Sequence, residues 1–237
     1  MTNYKMPVNI IPDDEIARIE TLNRFQILNT LPEADFDMIA ILASEIFDTE
    51  RAHICFVDND NVFIKASLPN NNIKELSRAK NLCALSIVKE GVTVYDDTHK
   101  CYELLDTPFL SATDDIRFYA AAPIKTRDGL ALGTVCVTDD KPHMEVSSKQ
   151  IKLLQLLADI VMEKLETRLA NIERIKSCDE RMHRLAHDLK NPVTSISLYA
   201  QMLGSREMSP EKVFSMAARI ETSSGKIEKL LDSMEVS

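Results

Sequence analysis

The residues with the most chemical content lie in one short stretch, Leu185-Ala186-His187-Asp188-Leu189-Lys190-Asn191-Pro192-Val193-Thr194-Ser195-Ile196. An imidazole next to a carboxylate is a candidate nucleophile. Asp188 can keep the proton on one ring nitrogen of His187, leaving the lone pair of the other open for attack. Asn191 follows His187 by four residues and shares its helical face, where it could orient a transferred phosphoryl group or an attacking water. Lys190 adds a positive charge near a developing phosphohistidine. Pro192 costs roughly 3 kcal/mol in a helix interior, because it lacks a donor and clashes with the preceding turn. It should leave the carbonyl of Asp188 without its usual partner and bend the helix. A His-Asp pair on a helix is most often only a solvated face; the rest of the motif and the helices around it favour the nucleophile here.

Those helices can be read from periodicity. From Ser147 onward strand signals vanish, and apolar residues recur at Ile151, Leu154, Ala158, Val161 and Leu165 in alternating threes and fours, a heptad seam. The steps from Leu165 through Leu169, Ile172, Ile175 and Cys178 shift the phase, which locally unwinds or overwinds a coiled coil. The seam resumes at Met182, Leu185 and Leu189, and neither Gly nor Pro interrupts residues 147–191. On this phase His187 faces solvent. Gly204 is a candidate left-handed helix end, with Ser205 and Arg206 beyond it. Ser209 and Pro210 restart a helix as cap and first residue. Its stripe is Val213, Met216, Ile220, Ile227, Leu230 and Met234. One hairpin of this size cannot enclose a core, whereas two copies can, as a four-helix bundle. A homodimer is therefore expected.

The first 146 residues mix periods. Asp13 or Asp14 can cap a helix from about Glu15 whose stripe is Ile16, Ile19, Leu22, Phe25 and Leu28. A second helix is predicted over 33–47. Strands are predicted at 52–57, 62–66, 92–95, 117–124 and 131–138, with a short helix near 83–90 and polar connections at 69–80 and 96–115. This is an α+β domain on an antiparallel sheet.

Composition narrows the function. Of 237 residues, 45% are hydrophobic and 27% charged, the balance of a globular chain, and the formal net charge is −9. Such acidity disfavours nucleic acid and anionic membranes as partners. No stretch is apolar enough to span a bilayer, and the N-terminus lacks a signal-peptide core, so a cytoplasmic protein is expected. The five cysteines, Cys55, Cys83, Cys101, Cys136 and Cys178, form no CxxC pair. That predicts reduced, mostly buried thiols, with no metal site and no disulfide framework. His53, His99 and His143 show no ligand spacing. His183, one turn before His187, reads as solvated.

The stretch from His187 to Ile196 resembles the H-box of sensor histidine kinases, and the resemblance covers about 177–237. It implies that His187 is phosphorylated from ATP and passes the group to an aspartate on a response-regulator receiver domain. Asp188 would be its orienting acid-base partner, and Asn191 would occupy the position tied to phosphatase activity. Residues 14–168 resemble the GAF domains found in front of kinases. The resemblance rests on Arg18-Ile19-Glu20-Thr21-Leu22-Asn23, Ile27-Leu28-Asn29-Thr30-Leu31-Pro32-Glu33, Arg117-Phe118-Tyr119-Ala120-Ala121-Ala122-Pro123-Ile124 and Ala131-Leu132-Gly133-Thr134-Val135-Cys136-Val137. A small-molecule ligand in this domain is one implication. The resemblance raises bilin attachment at Cys83, but Ala84 follows it where bilin-binding relatives usually have His, so a buried small hydrophobe is favoured.

The expected architecture is therefore an arm at 1–13, a GAF sensor domain at 14–146, a signalling coiled-coil helix at 147–176 and a dimerising, histidine-phosphotransfer hairpin at 177–237. The fifty residues after His187 are used by the hairpin and include no Gly-rich phosphate loop. The chain alone is expected to hold no cofactor and to be inactive as a kinase. ATP and Mg2+ would come with a kinase domain in cis, if the chain is a fragment, or in trans. Two other readings are a phosphotransfer partner that never works as a kinase and a ligand-binding GAF dimer whose hairpin only oligomerises.

Overall fold

The structure is a computed structural model that describes residues 10–70, 73–104, 109, 116–205 and 209–235. The chain forms two compact units, 1–170 and 171–237. Most of the expected N-terminal arm, and Arg206 and Met234 as side chains, lie outside the described residues.

The first unit is built on a six-stranded antiparallel sheet of order β3-β2-β1-β6-β5-β4. The strands are β1 (Arg51–Val57), β2 (Asn61–Leu68), β3 (Glu75–Ser77), β4 (Thr93–Tyr95), β5 (Phe118–Lys125) and β6 (Ala131–Asp139). Alternation sorts their side chains into two cores. Ile54, Phe56, Phe118, Ala120, Ala122, Ile124, Val135 and Val137 pack with helices α1 (Glu15–Arg24) and α2 (Ala34–Phe47). Cys55, Val57, Tyr119, Ala121 and Cys136 meet the short helix α3 (Leu82–Ser86) on the other face. Both faces are covered, so β5 and β6 read as almost unbroken apolar runs.

Two features pin the sheet centre. Gly133 opposes Phe56, and a Cβ there would lie 2.0 Å from the carbonyl oxygen of Cys55, so only glycine fits. A bulge in β2 opposite Ile54 and Cys55 leaves Lys65 as the extra residue. Its ammonium is buried and donates to Thr30 Oγ1, the Leu31 carbonyl and Glu33 at 2.6–2.7 Å.

Several local expectations change. Strand β3 lies in the stretch expected to be loop; it is three exposed residues on a sheet edge, too short and polar to signal itself. Helix α1 begins where expected, but the Asp14 side chain makes no cap bond, Ile16 is exposed, and the buried face is Arg18 and Leu22. Arg18 is buried because it donates to the Val57 carbonyl and pairs with Glu15, which also binds Arg78. Burial alone would raise the Glu15 pKa, but the Arg18 and Arg78 guanidinium groups hold it down at about 2.

Helix α4 (Ser148–Ser205) spans both units and runs unbroken through Pro192. Its first segment is part of the first unit's core. Leu154, Ala158, Val161 and Leu165 are fully buried against the sheet and α2, and Lys164 and Arg168 pair with Asp35 and Glu33. The seam predicted there as a coiled coil therefore faces its own chain. Gly204 remains helical rather than left-handed, because α4 continues past it to Ser205. The second unit pairs the rest of α4 with α5 (Pro210–Glu235), which starts after Ser209 as predicted, with the Ser209 carbonyl accepting from Lys212 and Val213. Among the described residues no helix is long and apolar enough to cross a membrane.

Candidate functional site

The hairpin of the second unit has a seam on each helix. On α4 the less exposed positions include Leu185, Leu189, Pro192, Ile196, Tyr199 and Leu203; on α5 they include Met216, Ile220, Ser223, Ile227 and Leu230. The spacing of three and four is that of helix-on-helix packing. Arg219 joins the two helices by donating to the Tyr199 hydroxyl at 3.0 Å, with its guanidinium over the Tyr199 ring. His187, two residues past Leu185, falls on the opposite side.

There the His187 side chain is 72% exposed, and its Nδ1 lies 3.2 Å from Asp188 Oδ1. A carboxylate can only accept, so this contact places the proton on Nδ1. No partner occupies Nε2 among the described residues. Lys190 and Asn191 are exposed on the following turn, and neither side chain bonds to His187. Pro192 is buried in the seam. Thr194 Oγ1 and Ser195 Oγ donate to the Lys190 and Asn191 carbonyls at 2.7 and 3.0 Å, the back-bonding that Ser and Thr make within helices. His183 turns Nδ1 to the Asp179 carbonyl of its own helix.

The first unit holds a cavity of about 330 Å3 on the α3 side of the sheet. His53, Cys55, Cys83, Tyr119, Cys136 and Thr138 line it. Asn81 caps α3 by accepting from the Cys83 amide at 2.8 Å, which fixes Cys83 above the strands. Cys83 Sγ is 3.8 Å from Cys136 Sγ, and the sulfurs of Cys55, Cys83 and Cys136 all lie within 4.8 Å of one another. The contacts with Cys136 and Cys55 hold the Cys83 thiol well below the usual range, while Cys55 and Cys136 are pushed up. Burial raises the Tyr119 hydroxyl and lowers His53. Sequence spacing missed this group because its members come from three elements. The available clue was alternation, which puts Cys55 on the face shared with Val57. Two other histidines have structural partners: His53 meets Ser67 Oγ, and His143 stacks on Phe118 and pairs with Asp139.

Comparison with known proteins agrees with these two units. Residues 32–165 match the GAF domain family, and residues 180–237 match the His Kinase A (phospho-acceptor) domain. A cyclic di-GMP phosphodiesterase of Pseudomonas aeruginosa is 30% identical over 156 residues, covering 66% of this chain and 26% of that protein. The chain thus spans about a quarter of that relative's length. A free methionine-R-sulfoxide reductase of Thermoplasma acidophilum is similar in structure, with 13% identity and a TM-score of 0.47 over 56% of this chain and 92% of that one. The GAF domain of an Acinetobacter phosphoenolpyruvate-protein phosphotransferase shows 16% identity and a TM-score of 0.46 over 68% and 98%. Neither structural likeness carries an argument about activity. The chain belongs to the GAF domain family, and behind its GAF domain it carries the phospho-acceptor domain of histidine kinases.

Proposed function

We propose that this chain is the sensory and phosphoacceptor portion of a two-component histidine kinase, with His187 as the phosphorylated residue. One observation carries the reading: an exposed imidazole whose Nδ1 lies 3.2 Å from Asp188 Oδ1 and whose Nε2 has no protein partner among the described residues. The Nε2 lone pair attacks the γ-phosphorus of ATP, the bond to the bridging oxygen breaks, and ADP leaves with that electron pair. Asp188 stabilises the positive charge on the ring, and Asn191 and Lys190 stand close enough along the helix to orient and neutralise the phosphoryl oxygens. The group then passes to a receiver-domain aspartate. ATP and Mg2+ arrive with an ATP-binding kinase domain acting in cis or in trans.

The active form is a homodimer in the cytoplasm. Val193, Leu198, Val213, Phe214 and Leu231 are exposed apolar side chains on the hairpin, and a second copy would bury them as a four-helix bundle. The GAF unit at 14–146 supplies the input, and the helix through 147–176 passes it to the hairpin at 177–237.

The test incubates the full chain with γ-labelled ATP and a histidine-kinase ATP-binding domain. Acid-labile label is expected on the chain and absent from His187→Gln. Equal labelling of His187→Gln overturns the assignment.

A further inference from the structure

We propose that Cys55, Cys83 and Cys136 form a binding site for a thiophilic d10 metal ion, Zn2+ or Cu+, at the floor of the GAF cavity. Antiparallel pairing of β1 with β6 sets Cys55 opposite Thr134 and His53 opposite Cys136, so Cys55 and Cys136 are diagonal neighbours on one sheet face. Helix α3 lowers Cys83 onto that pair. All three residues are 2–4% exposed, and their sulfurs lie within 4.8 Å of one another.

The spacing suits a metal. With metal–sulfur bonds of about 2.3 Å, tetrahedral geometry puts sulfurs roughly 3.8 Å apart. Cys83 and Cys136 already stand at 3.8 Å, and Cys55, within 4.8 Å of both, needs at most about 1 Å of adjustment. Buried cysteines often serve as small hydrophobes. That role accounts for each burial separately, but it does not call for three thiols from three elements to converge.

The surroundings add independent support. The cavity opens onto the cluster, providing an entry path and space for a fourth ligand. Thr138 Oγ1 lines that space, is buried, and has no hydrogen-bond partner among the described residues. Arg51 also lines it and would offset the negative charge of a metal held by three thiolates. Thiolates are the donors that select Zn2+ and Cu+. Binding is a proton exchange with no change of oxidation state: three S–H protons leave for solvent as three metal–sulfur bonds form. The absence of CxxC spacing predicted no metal site; the fold supplies one from distant positions.

The test uses the full chain, reduced and handled without oxygen, titrated separately with Zn2+ and with Cu+ against a chromophoric chelator. One ion per chain should be retained, with an X-ray absorption shell of three sulfurs at about 2.3 Å. Cys83→Ser and Cys136→Ser should lose more than the roughly 10–100-fold in affinity that outer-shell changes cost. Cys178→Ser, exposed on α4, should bind as wild type. If a site variant fails to fold, Co2+ added to the unmodified chain still gives the answer, since thiolate-to-cobalt charge-transfer bands are expected. Failure to retain either ion, a shell of nitrogen and oxygen only, equal binding by Cys83→Ser, or a Cys83–Cys136 disulfide in place of metal would overturn the site. His187→Gln should bind metal normally, so this result and the phosphotransfer result stand apart.

Discussion

Helix α4 carries large apolar residues in two regions with opposite fates. Leu154, Ala158, Val161 and Leu165 are sealed against the sheet, whereas Ile175, Met182, Val193 and Leu198 are exposed. Apolar residues at threes and fours state that a helix has a face to bury. They do not state whether a sheet of the same chain, the other arm of a hairpin or a second chain will cover it. The first region is covered within its own unit. The second packs against α5 through its other face, and Val193 and Leu198 stay exposed among the described residues. The same division separates the reactive groups: the thiols are enclosed in the first unit, and the imidazole of His187 stands in solvent in the second.

The contrast can be broken by mutation. The largest effect is expected at His187, where substitution by Gln should abolish phosphoryl uptake and leave thermal unfolding of both units unchanged. A parallel loss of stability would mean the ring has a packing role. Next, Leu165→Ala should destabilise the first unit by about 3 kcal/mol in urea unfolding, as expected for a buried leucine. Ile175→Ala, ten residues further along the same helix, should change monomer stability by less than about 0.5 kcal/mol. Comparable losses at the two positions would show that the second region is covered as well.

An acid titration should separate the units next. Glu15 is held at about 2, below the ordinary glutamate value of 4.5. Its folded pKa is depressed, so its stabilisation is present above pH 4.5 and is lost as pH falls toward 2. Wild type should exceed Glu15→Gln by about 2 kcal/mol at pH 7, and the gap should shrink toward zero near pH 2. A gap that does not depend on pH would rule out the Arg18–Glu15–Arg78 pairing as its source. The smallest effect is at the hairpin surface: Leu198→Ser with Phe214→Ser should weaken self-association in sedimentation experiments and leave the GAF unit's unfolding unchanged.

Much of this molecule was legible residue by residue. The phase of Leu185 and Leu189 put His187 outside the hairpin seam, Ser209-Pro210 marked the start of α5, and the apolar runs marked β1, β5 and β6. These are local properties, since side chains three or four apart on a helix must share a face and alternate residues on a strand must not. Strand β3 was not legible because Glu75, Leu76 and Ser77, three exposed edge residues, are too few to show alternation. Arg18 and Lys65 were not expected inside, because their burial depends on distant partners, the Val57 carbonyl and the Thr30–Glu33 turn.

The amino-acid order alone therefore determined the helices and every strand but β3, the motif around His187 and the side of the helix on which it stands, because each follows from neighbours within a turn or a strand. Tertiary structure decided which apolar face of α4 is satisfied within its unit, why position 133 must be glycine, and that Cys55, Cys83 and Cys136 meet. Those outcomes depend on strand order and on the approach of elements far apart in the chain, which no local period encodes.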